Sequence, residues 1–185
     1  MTTILDTIVQ HKLTEIQLKK ELFPVKHLES LPLFQRKGFS LSEALKNSKS
    51  GIIAEHKRRS PSKPNINQKL YVNEVVAGYQ KAGACGSSVL TDSSFFGGSL
   101  EDLQLARASV DFPLLRKDFI IDERQIAEAI DWGADAVLLI AAILDDAQLG
   151  HFHALATAAG LAALVEVHDE GELKTALDAE ADIVG

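Results

Sequence analysis

From residue 51 onward the chain alternates between short apolar runs and longer amphipathic ones. Strand-like runs fall at 52–57, 86–91, 113–117, 135–140, 161–166 and 182–184. Helix-like runs lie between them at 71–82, 100–108, 123–132, 145–159 and 170–179, by the change of hydrophobic period. Gly83, Gly133 and Gly160 stand where a helix closes before the next strand, a position that suits a left-handed residue. Ser99, Asp122, Asp145 and Asp169 stand where helices open, as N-caps. The strands are short and apolar without a clear polar face, as parallel strands covered by helices are. This alternation implies an α/β chain of right-handed βαβ units around a parallel sheet. No G-x-G-x-x-G follows a strand, and Phe96-Gly-Gly-Ser has the wrong spacing. A dinucleotide-binding open sheet is therefore disfavoured.

The charges on these strands separate a barrel from an open sheet. Side chains alternate faces along a strand, so Ile53, Glu55 and Lys57 share one face of the first run. The two charged residues then stand about 6–7 Å apart, within reach of one ligand; a surface ion pair on an edge strand fits the same pattern. In the third run Leu115 and Lys117 share a face, and in the fifth Ala162, Leu164 and Glu166 do. Lys57, Lys117 and Glu166 each come last on strands one, three and five. Alternate strands of a (βα)8 barrel feed one layer of inward side chains, and the reactive end is the C-terminal one. Three charged residues at the same end of three odd strands would converge there, which a surface-charge reading does not explain.

Residues 1–50 read as an N-terminal helical extension, and 51–185 as the barrel domain. Leu5, Ile8, Val9, Leu13 and Ile16 recur at helical spacing over 3–21, and Pro24 ends the run. A short helical piece follows around 25–35. Ser40 or Ser42 can cap the next helix, with Glu43 placed for a capping box.

Composition bounds the partners. The net charge of −7 argues against a general nucleic-acid binder, though Lys57, Arg58, Arg59 and Lys63 can hold one phosphate locally. Cys85 is the only cysteine; this excludes an intrachain disulfide and an all-cysteine zinc site, and fits the cytoplasm. The start lacks the pattern of a secretory signal. The longest apolar run, 136–144, is far below the roughly 20 residues that cross a bilayer, so no membrane partner is expected. His151, His153 and His168 show no metal-ligand spacing with carboxylates, so no metal site and no cofactor are expected.

Five motifs carry a resemblance across essentially the whole chain. They are Ile52-Ile-Ala-Glu-His-Lys-Arg-Arg-Ser-Pro-Ser-Lys63, Ser88-Val-Leu-Thr-Asp-Ser-Ser-Phe-Phe-Gly-Gly-Ser99, Pro113-Leu-Leu-Arg-Lys-Asp-Phe-Ile-Ile-Asp122, Gly133-Ala-Asp-Ala-Val-Leu-Leu-Ile140 and Leu164-Val-Glu-Val-His168. Together they resemble indole-3-glycerol-phosphate synthase of tryptophan biosynthesis. The first and third are specific, whereas the Gly-Ala-Asp segment occurs in many barrels. The resemblance implies a (βα)8 TIM barrel with a helical N-terminal extension. It implies a lyase acting on a phosphorylated small molecule, 1-(2-carboxyphenylamino)-1-deoxy-D-ribulose 5-phosphate, by ring closure, decarboxylation and dehydration. It also implies roles. Lys117 matches the general acid of ring closure, and Lys57 a lysine that contacts the substrate's carboxylate or phosphate. Glu166 matches a carboxylate of the dehydration, and Glu55 a second active-site carboxylate. Ser60 matches a serine near the phosphate, and Phe96 and Leu138 match apolar substrate contacts.

Plainer readings stand beside these. Phe96 can equally be loop packing, and Leu138 plain core. His56 points away from Glu55 and Lys57 and reads as a satisfied histidine against a helix. Arg116 and Arg58 face away from the pocket and are expected only to solvate the strand ends.

Two departures from the family pattern matter. Pro64 stands where the family usually has Gly, in the loop after strand one, and would stiffen that loop. The sixth strand has barely begun at Gly185, so the chain covers only about six of eight βα units and reads as C-terminally truncated. The 185-residue chain alone is accordingly expected to be inactive, and a non-catalytic fragment that self-associates or needs a complementary chain is the alternative. A phosphoribosylanthranilate isomerase-like barrel is a third reading, against which the first and third motifs argue.

Overall fold

The computed structural model describes residues 3–28 and 32–185. Six parallel strands follow one another in sheet order as in sequence: β1 (Ile53–His56), β2 (Gly86–Leu90), β3 (Leu114–Lys117), β4 (Ala136–Ile140), β5 (Ala162–Glu166) and β6 (Ile183–Val184). The helices α4 (Val72–Lys81), α5 (Leu100–Arg107), α6 (Arg124–Asp131), α7 (Asp146–Ala158) and α8 (Glu170–Asp178) connect them. The result is a TIM-like partial barrel of six βα-linked strands, each one residue or so shorter than the apolar pattern predicts.

The two sheet faces carry separate cores. Val89, Leu114, Val137, Leu139, Ala163 and Val165 face the helices. Ile53, Leu115, Ala136, Leu138, Ile140, Ala162, Leu164 and Ile183 face the barrel interior. Gly83, Gly133 and Gly160 all take positive φ after their helices, the left-handed closure expected of them. α8 is closed instead by Glu180, at φ 59°. Ser99, Asp145 and Asp169 cap their helices. Asp122 sits one residue too early: Glu123 is the N-cap of α6, and Asp122 accepts the N–H of Arg124 at 3.0 Å.

The extension grips both ends of the sheet. α1 (Ile4–Leu22) opens on a Thr3–Asp6 capping box. Its inward stripe is Ile8, Lys12 and Ile16, while Leu13 is exposed. The apolar reading of this helix therefore needs correction: a lysine occupies the middle of the buried stripe. The helical piece expected around 25–35 resolves into α2 (Val25–Leu28) and a 3-10 turn (Pro32–Gln35), with 29–31 outside the described residues. α3 (Leu41–Asn47) opens on Ser40, whose hydroxyl accepts the N–H of Glu43 at 3.2 Å. α3 covers the N-terminal end of the strands, with Leu41 buried against Gly86; a Cβ at Gly86 would stand 3.0 Å from the Pro113 carbonyl and 3.4 Å from Leu41 Cδ1.

At that same end Asp135 is fully enclosed. Its Oδ1 accepts from Arg36 Nη2 at 2.7 Å and from the Phe39 N–H at 2.8 Å. Its Oδ2 accepts from Arg107 Nη1 at 2.8 Å and from the Leu114 N–H at 2.9 Å. One carboxylate thus ties the extension, α5 and β3 together.

Candidate active site

At the C-terminal ends of β1, β3 and β5 the charged side chains meet. Lys57, just past β1, places Nζ 2.5 Å from Glu55 Oε1. Lys117 Nζ lies 3.4 Å from Glu55 Oε2 and 3.9 Å from Glu166 Oε2. All four side chains remain about a third open to solvent, at 28–34% exposure, so a ligand can reach them. Burial pushes the Glu55 carboxyl up, but the hydrogen bond from Lys57 and the charge of Lys117 outweigh it, and its pKa lies below the ordinary value. Glu55 is therefore an ionised bridge between two ammonium groups.

Beneath this cluster the barrel interior is apolar. Leu138, 2% exposed, lies on the inner face of β4 with Leu115 and Ile140. Phe96 stands on the loop after β2, its ring 5.8 Å from Phe119 in a tilted stack, and both pack on the inner cluster. Ser60 makes its contacts within its own loop. It exchanges two backbone hydrogen bonds with Lys63, at 2.8 and 3.0 Å, and its Oγ accepts the Lys63 N–H at 3.1 Å. Pro64 lies in the same loop, its carbonyl accepting from Gln68 Nε2 at 2.9 Å. The structure thus brings Lys57, Glu55, Lys117 and Glu166 together above Leu138, sets Phe96 on the wall, and leaves Ser60 apart on its loop.

Three expectations need correction. Arg116 does not solvate a strand end; it is 1% exposed. It donates to the Gln125 carbonyl at 2.7 Å, to Thr91 Oγ1 at 3.2 Å and to Asp118 Oδ2 at 3.1 Å. Arg58 likewise forms a two-pronged pair with Asp102 and donates to the Gly97 carbonyl, so it fastens the loop after β1 to the loop after β2. Arg59 supports the same junction by donating to the Ser93 and Ser94 carbonyls at 2.8 and 3.0 Å. His56 is buried against the helices but not satisfied, since neither ring nitrogen has a hydrogen-bond partner among the described residues.

Sequence reading missed a second tier of residues. Ser88 pairs in register with Glu55 on the inner face, and its buried Oγ has no hydrogen-bond partner among the described residues. His168 Nε2 lies 3.7 Å from Glu166 Oε1, and its Nδ1 lies 3.3 Å from Glu172 Oε2. Lys12, Asp92 and Asp118 form a buried ion cluster beside the site. Burial pushes the Asp118 carboxyl up, but Arg116 and Lys12 overcome it and hold the pKa down at about 2. Burial pushes the Lys12 ammonium down, yet Asp118, Asp92 and Glu15 hold it well above the ordinary lysine range. Removing one member of such a buried set costs about 3–5 kcal/mol. The i, i+4 spacing of Ile8, Lys12 and Ile16 was the available signal for Lys12. Among the described residues no group of three or more His, Cys, Asp or Glu is arranged to hold a metal ion, and no helix is long and apolar enough to cross a membrane.

The model of one family, "Indole-3-glycerol phosphate synthase", matches residues 5–185. A relative of that name from Bacteroides thetaiotaomicron is 44% identical over 185 residues, covering 100% of this chain and 71% of the relative. One from Bacillus cereus is 46% identical over 186 residues, covering 100% of this chain and 70% of the relative. Among solved structures, mandelate oxidase with benzoyl-formic acid superposes with a TM-score of 0.54 at 18% identity, over 80% of this chain and 52% of its own. The carboxyl transferase domain of Rhizobium etli pyruvate carboxylase gives 0.52 at 14% identity, over 78% and 28%. At such identities the last two show the fold alone.

Proposed function

The chain belongs to the indole-3-glycerol phosphate synthase family, and from that premise we propose that its charged cluster closes the indole ring of 1-(2-carboxyphenylamino)-1-deoxy-D-ribulose 5-phosphate. The observation that carries this reading is the meeting of Lys117 with Glu55 and Glu166 above an apolar barrel floor.

The chemistry asks for such an arrangement. The ring carbon that bears the carboxylate attacks the ketone carbon, and a C–C bond forms. The carbonyl π pair moves onto oxygen, where an ammonium can deliver a proton as charge develops. Lys117 takes that role: it stands at the end of β3, above Leu115 and Leu138, where the apolar ring would lie. Carbon dioxide then leaves, and its bonding pair restores the aromatic ring. Finally the new hydroxyl departs as water when a proton is delivered to it and another is taken from the ring system. Glu166 is the acid/base group assigned to this dehydration. Glu55 pairs with both lysines and aims them, and Lys57 meets the substrate's carboxylate or phosphate. Ser60 and the loop around it meet the phosphate; Phe96 and Leu138 contact the aromatic ring.

The test is indole fluorescence on adding the carboxyphenylamino-deoxyribulose phosphate, with Lys117→Ala as control. A positioned general acid contributes about 10²–10⁴-fold, so the variant should lose at least about 10²-fold in kcat. Equal turnover in the two proteins, or none in the parent, would overturn this reading.

A further inference from the structure

Lys12 belongs to α1, in the N-terminal extension, yet its ammonium reaches the end of the barrel where the site lies. It is 1% exposed and lies 3.1 Å from Asp92 Oδ2, 3.0 Å from Asp118 Oδ1 and 2.9 Å from Glu15 Oε2. Asp92 follows β2 after Thr91, and Asp118 follows Lys117 directly. Each carboxylate gives one oxygen to Lys12, and each also holds backbone of the site wall. Asp92 Oδ1 accepts the N–H groups of Phe95 and Phe96 at 2.7 and 3.2 Å. Asp118 Oδ1 accepts the N–H of Phe119 at 2.9 Å, and its Oδ2 accepts from Thr91 Oγ1 at 2.6 Å. The ring stack of Phe96 on Phe119 closes the circuit.

We propose that Lys12 is a positioning residue for this site: its buried ammonium locks together the loops after β2 and β3, and so fixes the Phe96–Phe119 wall beside Lys117. It does not touch the substrate; it acts through Asp92 and Asp118. The inference rests, for its catalytic consequence only, on the proposed ring-closure reading. Its physical core is an asymmetry between the two carboxylates. Asp118 keeps Arg116 as a second cation, whereas among the described residues the ion pairs of Asp92 run to Lys12 alone. Without the ammonium, two buried carboxylates that now face one cation would repel each other at short range. Asp92 is the one that swings out, and in doing so it releases the N–H groups of Phe95 and Phe96.

The experiment compares the parent with Lys12→Met, with Lys12→Met/Asp92→Asn and with Asp135→Asn, all at a temperature where each is folded. Lys12→Met keeps the side chain out to Cε and removes the ammonium. The double variant removes the repulsion and keeps an amide oxygen for the Phe95 and Phe96 N–H groups. Hydrogen exchange should accelerate at the Phe95 and Phe96 amides in Lys12→Met and recover in the double variant. The kcat should fall about 10- to 100-fold, as a displaced contact near the chemistry does, with KM moving less, and should recover in the double variant. Asp135→Asn, at the opposite end of the barrel, should lower the melting temperature and leave both readouts near the parent. Unchanged exchange at Phe95 and Phe96 in Lys12→Met would overturn the inference. So would exchange that accelerates there but does not recover in the double variant, since that is the signature of lost α1 docking alone. The exchange readout needs no turnover. If it behaves as expected while Lys117→Ala matches the parent in turnover, or the parent has none, the failure belongs to the ring-closure reading and the positioning role of Lys12 stands.

Discussion

Lys117 Nζ lies 3.4 Å from Glu55 Oε2 although the two residues stand on strands separated by β2. Such a contact crosses the barrel mouth rather than running along one strand, and it places an ammonium where carboxylate charge and apolar surface meet. The other oxygen of the same carboxylate holds Lys57. Glu55 is thus a shared counter-ion, and its value to the site is its charge as much as its reach.

That relationship predicts the effect of Glu55→Gln. The amide keeps the shape of the side chain but leaves two ammonium groups without their common partner. The kcat should fall by up to about 10²-fold, as it does when a group near the chemistry is misplaced. The side chain is partly open to solvent, so the ion pairs should contribute less than about 1 kcal/mol to stability. Steady-state kinetics and a urea titration on the same variant check both halves. A large loss of stability with kcat intact would show that Glu55 serves the fold instead.

Asp135 presents the opposite case. Its carboxylate accepts four donors in the closed end of the barrel, whereas the single amide oxygen of an asparagine can accept from only two of these N–H groups and its NH2 would face the other two. Asp135→Asn should therefore lower the unfolding free energy by about 3–5 kcal/mol, seen as a lower urea midpoint. Because the residue lies at the N-terminal end of the strands, kcat measured below the transition should stay near the parent's. Conservation of activity with loss of stability is what the non-reactive face of a barrel leads one to expect.

Much of the fold was legible because it depends on local periodicity. The period-two and period-3.6 runs named all six strands and the five helices between them, and the left-handed glycines marked the closures. The site was legible to the extent that it follows from strand parity: Glu55, Lys57, Lys117 and Glu166 end on one side because side chains alternate. What periodicity cannot carry is the choice of partner across the chain. The spacing of Ile8, Lys12 and Ile16 hints at a buried stripe, but nothing local to α1 names the partners Asp92 and Asp118, which lie 80 and 106 residues further along the chain. Leu13 is exposed for the same reason, since the face that turns inward is chosen by Asp92 and Asp118. Arg116 and Arg58 were misjudged alike: a charge at a strand end reads as solvated until its tertiary partners are known. Asp122 missed the cap by one residue, the usual uncertainty of a helix boundary.

The buried groups set the pH range of stability. His56 has its pKa lowered, first by burial and then by the charge of Arg58, and among the described residues its ring nitrogens have no hydrogen-bond partner. In the unfolded chain a histidine takes up a proton near pH 6.5. Below that pH the unfolded state binds a proton that the folded state refuses, so stability is fully present above about 6.5 and declines as the pH falls. Asp118 acts lower down. Its folded pKa is about 2 against about 3.9 when unfolded, so its contribution is complete above about pH 4 and is lost as the pH falls towards 2. Urea midpoints measured from pH 8 to pH 5 should therefore fall in the parent and fall less in His56→Phe, which fills the same space without a titrating ring. The variant should also be the more stable of the two near pH 5, because it removes two buried nitrogens that accept or donate no hydrogen bond among the described residues. Parallel declines in the two proteins would assign the acid sensitivity to another group and show that folding leaves the proton affinity of His56 unchanged.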